Sequence, residues 1–233
     1  MRMSSGNEAI DKLLEGGIET DTITTVYGPS GSGKTNIALI MAVDVVNSGK
    51  KAIFIDTEGG FSVERLKQVS KDHKEVMDNV LFFKPTSFKE QNKAIDKLKT
   101  IVNDKIGVIV VDSIAHLYRL ELSDAEEIYE VNRSMGRAIG QLTEIARTKN
   151  IPVLITNQVY SNFDERDKIN MVGGDLLRYG SKCLIELQKT PDGNRIAIIK
   201  KHRSIAEEKD VTFRIVSDGI KIAKEGKGFG LFK

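Results

Sequence analysis

Residues 28 to 35 read GPSGSGKT, and no other stretch restricts the chain's fold so strongly. They match G-x-x-x-x-G-K-[ST] in full and lie between TITTVYG (22–28), a β-branched run, and KTNIALIMAVDVV (34–46), an apolar run of helix length. A glycine-rich turn joining a strand to a helix lets backbone N–H groups wrap phosphate oxygens, and the helix start turns its positive end to the same anion. Gly28, Pro29, Ser30, Gly31, Ser32 and Gly33 therefore form the candidate phosphate cradle, and Lys34 is placed to reach the β- and γ-phosphates. Thr35 is placed to hold Mg²⁺, so ATP or GTP with Mg²⁺ is the expected ligand.

The rest of the chain follows the alternation that such a site needs. KAIFID (51–56) is a strand, followed by a helix over about 62–70, a strand at NVLFFK (79–84), a helix over 88–102 and a strand at GVIVVD (107–112). From about Glu126 to Lys149, apolar residues from Ile128 to Ala146 recur at steps of three or four and predict a long amphipathic helix. IPVLIT (151–156) returns to the sheet, and TNQVYSNFDERDKINMVGGD (156–175) reads as a long functional loop. KCLIELQK, NRIAIIKK and VTFRIV then predict antiparallel hairpins along one sheet edge, with a turn at Pro191-Asp192-Gly193-Asn194. The expected fold is α/β: one domain over 1–233 with a mostly parallel twisted sheet, flanking helices, antiparallel C-terminal strands and a tail at 224–233 that frays.

Length and composition exclude other classes. The 233 residues, 40% hydrophobic, can bury one large core. Lys plus Arg number 35 against 33 Asp plus Glu, so any basic site is local. The single Cys183, in an apolar run, can form no internal disulfide and suits a reducing compartment. His73, His116 and His202 are scattered and lack zinc spacing. With neither a membrane-length apolar run nor a signal-peptide core in MRMSSGNEAIDKLLEGG, the reading is cytoplasmic, and Asn132-Arg133-Ser134 is no glycosylation site there.

Hydrolysis needs carboxylates at the carboxyl edge of the sheet. Asp112 ends a central apolar strand and is the candidate Mg²⁺ partner. Asp56 and Glu58 follow another strand; either could take a proton from attacking water, and spacing leaves the choice open. Gln158 occupies an equivalent strand end, where its amide could contact both a γ-phosphate and the loop after it.

Taken together these segments resemble the core of the RecA-like recombinases, and within them an archaeal paralogue branch. SSGNEAIDKLLEGGIETDTIT resembles the family's lead-in to the phosphate loop, IDTEGGFSVERL its second-strand segment, IVVDSIAHLYRLE its Walker B region, and ITNQV with the following loop and VGGD its second DNA-binding loop. The resemblance spans about Ser4 to Ile222. It implies ATP as the nucleotide, Glu58 as the water-activating base, Gln158 as the γ-phosphate sensor and Arg65 as the side chain stacked on adenine. It also implies that residues 160–172 touch single-stranded or branched DNA, with Arg166 and Lys168 on phosphates and Tyr160 and Phe163 on bases.

Three departures from the family pattern shape what is expected. The chain begins a few residues before the core, so the N-terminal helical DNA-binding domain and the Phe-containing polymerisation segment are expected to be absent, and a long filament with them. Where relatives carry a Gly-Arg-Gly type loop, Leu122 to Glu127 are acidic and repel phosphate, leaving Arg119 and Glu121 in register. Asp175 replaces a histidine, and an anion cannot donate a hydrogen bond to phosphate, so hydrolysis is expected to be weak and little stimulated by DNA. Asp164, Glu165 and Asp167 make the 160–172 segment net negative, and Lys200-Lys201-His202-Arg203 is the densest cationic run, read as contacting DNA or a neighbour's nucleotide through Lys200, Lys201 and Arg203.

The leading expectation is an ATP- and DNA-binding accessory of homologous recombination and DNA repair, lacking strand exchange of its own and partnered by the main recombinase and junction-processing proteins. The alternative is a regulatory ATPase of the circadian-clock type acting on proteins without DNA, though its usual pair of adjacent glutamates is broken here by Gly59. A small-molecule phosphotransferase ranks last, for want of an acceptor pocket or an Arg-rich lid.

Overall fold

The computed structural model of the protein describes residues 1–124, 128–162 and 165–223, with the backbone alone at 123–124 and within 160–171. Strand β1 (Arg2–Met3), helix α1 (Glu8–Leu13) and strand β2 (Ile18–Glu19) open the chain, and β1 pairs antiparallel with β2. Asn7 caps α1 by accepting from the N–H groups of Ala9 and Ile10. A helix this short carries too little periodicity to stand out in the sequence.

Strand β3 (Ile23–Gly28) and helix α2 (Lys34–Asn47) flank the glycine-rich loop, and β4 (Lys51–Asp56) follows. Helices α3 (Val63–Val69) and α4 (His73–Asn79) lead to β5 (Val80–Phe83), with Ser62 capping α3 through the Arg65 N–H. Helix α5 (Phe88–Ile101), strand β6 (Ile106–Asp112) and helices α6 (His116–Asp124) and α7 (Ile128–Lys149) come next. The chain then forms β7 (Val153–Asn162), β8 (Glu165–Met171), α8 (Gly174–Gly180), β9 (Cys183–Lys189), β10 (Arg195–Lys201), β11 (Asp210–Val216) and β12 (Gly219–Ile222).

The main sheet runs β12-β11-β10-β9-β3-β7-β6-β4-β5, with β8 attached to β7. Strands from β9 to β5 are parallel, and β10, β11 and β12 add antiparallel. The expected C-terminal hairpins are present, β9 with β10 and β10 with β11, and β9 also joins the parallel block beside β3. Both faces of the central strands are covered, so they are apolar throughout instead of alternating. On one face Ile37, Met41 and Val45 of α2 pack with Phe54, Val110, Ile185 and Phe213. On the other, Ile95 and Leu98 of α5 and Met135 and Leu142 of α7 pack with Ile109, Val111 and Ile155. The α7 stripe matches the sequence pattern except at Ile128, which is 55% exposed.

The stretch read as a loop from 156 to 175 is corrected by the backbone. β7 continues to Asn162, and β8 returns antiparallel with Val159 opposite Met171 and Tyr160 opposite Asn170. Polar residues along both strands hide the alternation in the sequence. Residues 224–233, read as a frayed tail, lie outside the described residues. Among those described, no helix is long and apolar enough to cross a membrane.

Close approach of β3 and β9 explains Gly28. A Cβ there would stand 2.4 Å from the Leu187 carbonyl oxygen and 3.1 Å from the Ser32 hydroxyl. Gly28→Ala is expected to destabilise the fold by about 1–3 kcal/mol through overpacking, read as a lower urea midpoint. An unchanged midpoint would contradict this packing.

Candidate nucleotide site

The phosphate loop, Thr35, Glu58, Asp112 and Gln158 line one cleft of about 160 Å³. Gly31 and Gly33 hold positive φ angles of 73° and 107°, conformations that side chains with a Cβ avoid. Gly33 starts α2 with no side-chain cap, which leaves first-turn N–H groups for an anion. Lys34 folds back, donating from Nζ to the carbonyls of Gly28 at 2.8 Å and Pro29 at 3.0 Å. Burial lowers its pKa, opposed by the carboxylates of Glu58 and Asp112. Ser32 is fully buried, and its hydroxyl oxygen has no partner.

Asp112, at the end of β6, is 3% exposed. Its Oδ2 accepts from Thr35 Oγ1 at 2.8 Å, and its Oδ1 accepts from Thr156 Oγ1. Burial raises its pKa, reinforced by Glu58 and Asp56 and opposed by the two threonine hydroxyls. A buried carboxylate beside a hydroxyl, both hard oxygen donors, suits Mg²⁺, and the cation's charge would offset the cost of burial. No cluster of three or more His, Cys, Asp or Glu could hold a metal among the described residues, so the nucleotide phosphates would complete the set.

Asp56 and Glu58, between which the sequence does not choose, have different partners. Asp56 is 3% exposed and accepts from the N–H groups of Gly60 and Phe61, which ties it to the turn. Glu58 is exposed at the cleft; its Oε1 accepts from Ser113 Oγ at 2.5 Å and its Oε2 from Gln158 Nε2 at 2.8 Å. Gln158 is not a strand end, because β7 runs four residues further. Register places it directly opposite Gly28, and its carbonyl accepts from the Val172 N–H at 3.3 Å.

Arg65 is half-buried and saturated around its edge. Its Nε donates to Asn36, Nη1 to Gln68 and the Val216 and Ser217 carbonyls, and Nη2 to the Gly219 carbonyl. These in-plane bonds fix the guanidinium against the β11–β12 turn and leave its faces for stacking.

The DNA residues inferred from sequence divide into three groups. Arg119 is exposed on α6 and borders a small notch with His116, Gln158 and Val172. Tyr160, Arg166 and Lys168 have described backbone in β7 and β8, while their side chains, and all of Phe163, lie outside the described residues. The residues of the cationic run have partners within the chain. Lys200 pairs with Glu208 at 2.6 Å, and Lys201 donates to the carbonyls of Arg178 and Ser181. Arg203 pairs with Glu19 and Asp21, each at 2.8 Å, which raises its pKa. His202 Nδ1 accepts from the N–H groups of Ser204 and Ile205. Glu19 and Asp21 lie far off in sequence, so a local reading of charge misses them.

Sequence reasoning also passed over Thr35's neighbour Asn36, and Thr57, Ser113 and Thr156, which secure the acidic residues. The signal for Thr57 and Ser113 is their position just past the carboxyl ends of β4 and β6.

A carboxyl whose folded pKa lies above its unfolded value destabilises the fold at pH above the folded pKa, and the penalty fades as pH falls. Asp112→Asn is therefore expected to raise the nucleotide-free Tm at neutral pH, by about 2–4 °C for each kcal/mol relieved, with the gain shrinking in acid. A lower Tm at neutral pH would contradict that ordering.

The Rad51 family pattern matches residues 1–223. The DNA repair and recombination protein RadB of Methanobrevibacter smithii is 42% identical over 221 residues, covering 92% of this chain and 93% of that protein. RadB of Methanocaldococcus jannaschii is 44% identical over 218 residues, covering 91% and 99%. A solved structure described as the crystal structure of the RadB recombinase superposes with a TM-score of 0.80 at 38% identity, covering 95% of this chain and 99% of that one. The chain belongs to the Rad51 family, among the RadB DNA repair and recombination proteins, and has their RecA-like fold.

Proposed function

We propose that this chain binds ATP with Mg²⁺ in the cleft between β3 and β6, hydrolyses it slowly, and contacts single-stranded or branched DNA through the β7–β8 hairpin. The 2.8 Å hydrogen bond between Gln158 and Glu58 carries the reading. It joins a carboxylate suited to activating water to an amide that stands beside Gly28 and at the root of the hairpin.

On nucleotide binding, Lys34 exchanges the Gly28 and Pro29 carbonyls for phosphate oxygens, and the N–H groups at the start of α2 receive the rest of the phosphate charge. Gln158 turns its amide from Glu58 to a γ-phosphate oxygen, and the freed Glu58 oxygen takes a proton from water attacking phosphorus in line with departing ADP. Thr35 and Asp112 would hold Mg²⁺, which neutralises phosphate charge when bound. Arg65, held edge-on by the β11–β12 turn, offers a face to adenine.

Asp175, exposed in the first turn of α8, cannot donate to phosphate, so DNA and turnover are weakly coupled. Lys200, Lys201 and Arg203 have internal partners with which DNA phosphate must compete, and the acidic hairpin adds little attraction. The activity is that of a cytoplasmic accessory to recombination and repair, without strand exchange of its own, acting with the main recombinase and junction-processing proteins.

Lys34→Ala is expected to weaken ATP binding about 10- to 100-fold, the value of hydrogen bonds from a charged donor. Glu58→Gln is expected to keep affinity while turnover falls about 10²- to 10⁴-fold. Fluorescent-nucleotide titration and phosphate release measure both; unaltered ATP affinity in Lys34→Ala would sink the site assignment. The protein should raise the anisotropy of a labelled single strand at low salt and lose this effect as salt rises, and no response at low salt would remove the DNA half of the proposal.

A further inference from the structure

Glu58 belongs to no helix or strand, yet a catalytic base must be held within about half an ångström of its working position. Two buried hydroxyl residues supply that constraint. Thr57, 7% exposed, donates from Oγ1 to the Ser113 carbonyl at 2.7 Å and accepts from the Ser113 N–H at 3.0 Å. Its own N–H donates to the Asp112 carbonyl at 2.9 Å. Three bonds thus splice the chain leaving β4 to the chain leaving β6, one residue before Glu58. Ser113, 1% exposed, then turns its hydroxyl to Glu58 Oε1 at 2.5 Å. From the far side of the sheet edge, buried Gln91 of α5 donates to the Ile114 carbonyl at 2.9 Å and fixes the segment that carries Ser113.

We infer that Thr57 and Ser113 are positioning residues for Glu58: Thr57 fixes the backbone that bears the base, and Ser113 fixes the rotation of its carboxylate so that Oε2 faces Gln158 and the cleft. This rests on the reading of Glu58 as the water-activating base. A hydroxyl on Oε1 forces the division of labour between the two oxygens. One anchors the carboxylate, and the other is free to exchange Gln158 for water. Neither Thr57 nor Ser113 lines the cleft with Glu58, Asp112 and Gln158, so both act through Glu58 and not on the nucleotide.

The full chain is tested in single-turnover hydrolysis with protein in excess over radiolabelled ATP, alongside fluorescent-nucleotide affinity. Thr57→Val keeps the side chain's shape and removes the hydroxyl; it is expected to slow turnover about 10- to 100-fold at unchanged affinity, as is Ser113→Ala. Thr57→Ser, which restores the hydroxyl, is expected to recover most of the rate. In a Glu58→Gln background neither change should slow turnover further, because the group they position is gone. Full activity in both Thr57→Val and Ser113→Ala, or an equal slowing that persists with Glu58→Gln, overturns the inference while leaving the base assignment standing. A wild-type rate no higher than that of Glu58→Gln removes the base assignment, and the inference falls with it.

Discussion

Asp112 divides its carboxylate between Thr35 at the start of α2 and Thr156 on β7, in a setting almost closed to water. Three parallel strands converge on this one charge: β6 supplies the carboxylate, β3 runs into the loop before Thr35, and β7 supplies Thr156. The carboxylate is costly to bury and is tolerated because both oxygens are hydrogen-bonded. Around it β3, β4 and β7 bring Lys34, Glu58 and Gln158 into one cleft. A parallel sheet makes this possible, because every strand delivers its carboxyl end to the same edge.

The edge also joins the cleft to the hairpin. Asn157 donates to the Val172 carbonyl at 2.9 Å, and the Val172 N–H returns to the Gln158 carbonyl. The residue holding Glu58 is therefore also the residue at which β7 leaves the main sheet and begins to pair with β8. A rotation of the Gln158 amide toward a phosphate can reach the hairpin through the backbone, without a separate relay. Membership of the Rad51 family sets the chain among recombination proteins and apart from the clock-type alternative.

What could be read from sequence was local. GPSGSGKT has fixed spacing and fixed neighbours, and the buried strands and the α7 stripe declare their periods within a dozen residues. The partners that distinguish Glu58 from Asp56 were hidden, because Ser113 and Gln158 come from other segments of the chain. The ion pairs of the cationic run were hidden for the same reason: Arg203 meets Glu19 and Asp21 only after the chain has folded. The hairpin was hidden differently, since its strands carry polar residues that show no clear alternation in the sequence.

Hydrogen exchange with and without a non-hydrolysable ATP analogue and Mg²⁺ tests the central claim, that Gln158 links nucleotide to hairpin. The account requires altered amide protection at Val159–Met171 as well as in the phosphate loop, with the hairpin response lost in Gln158→Ala while the loop response stays. Protection changes confined to residues 28–35 in the unaltered protein would contradict it.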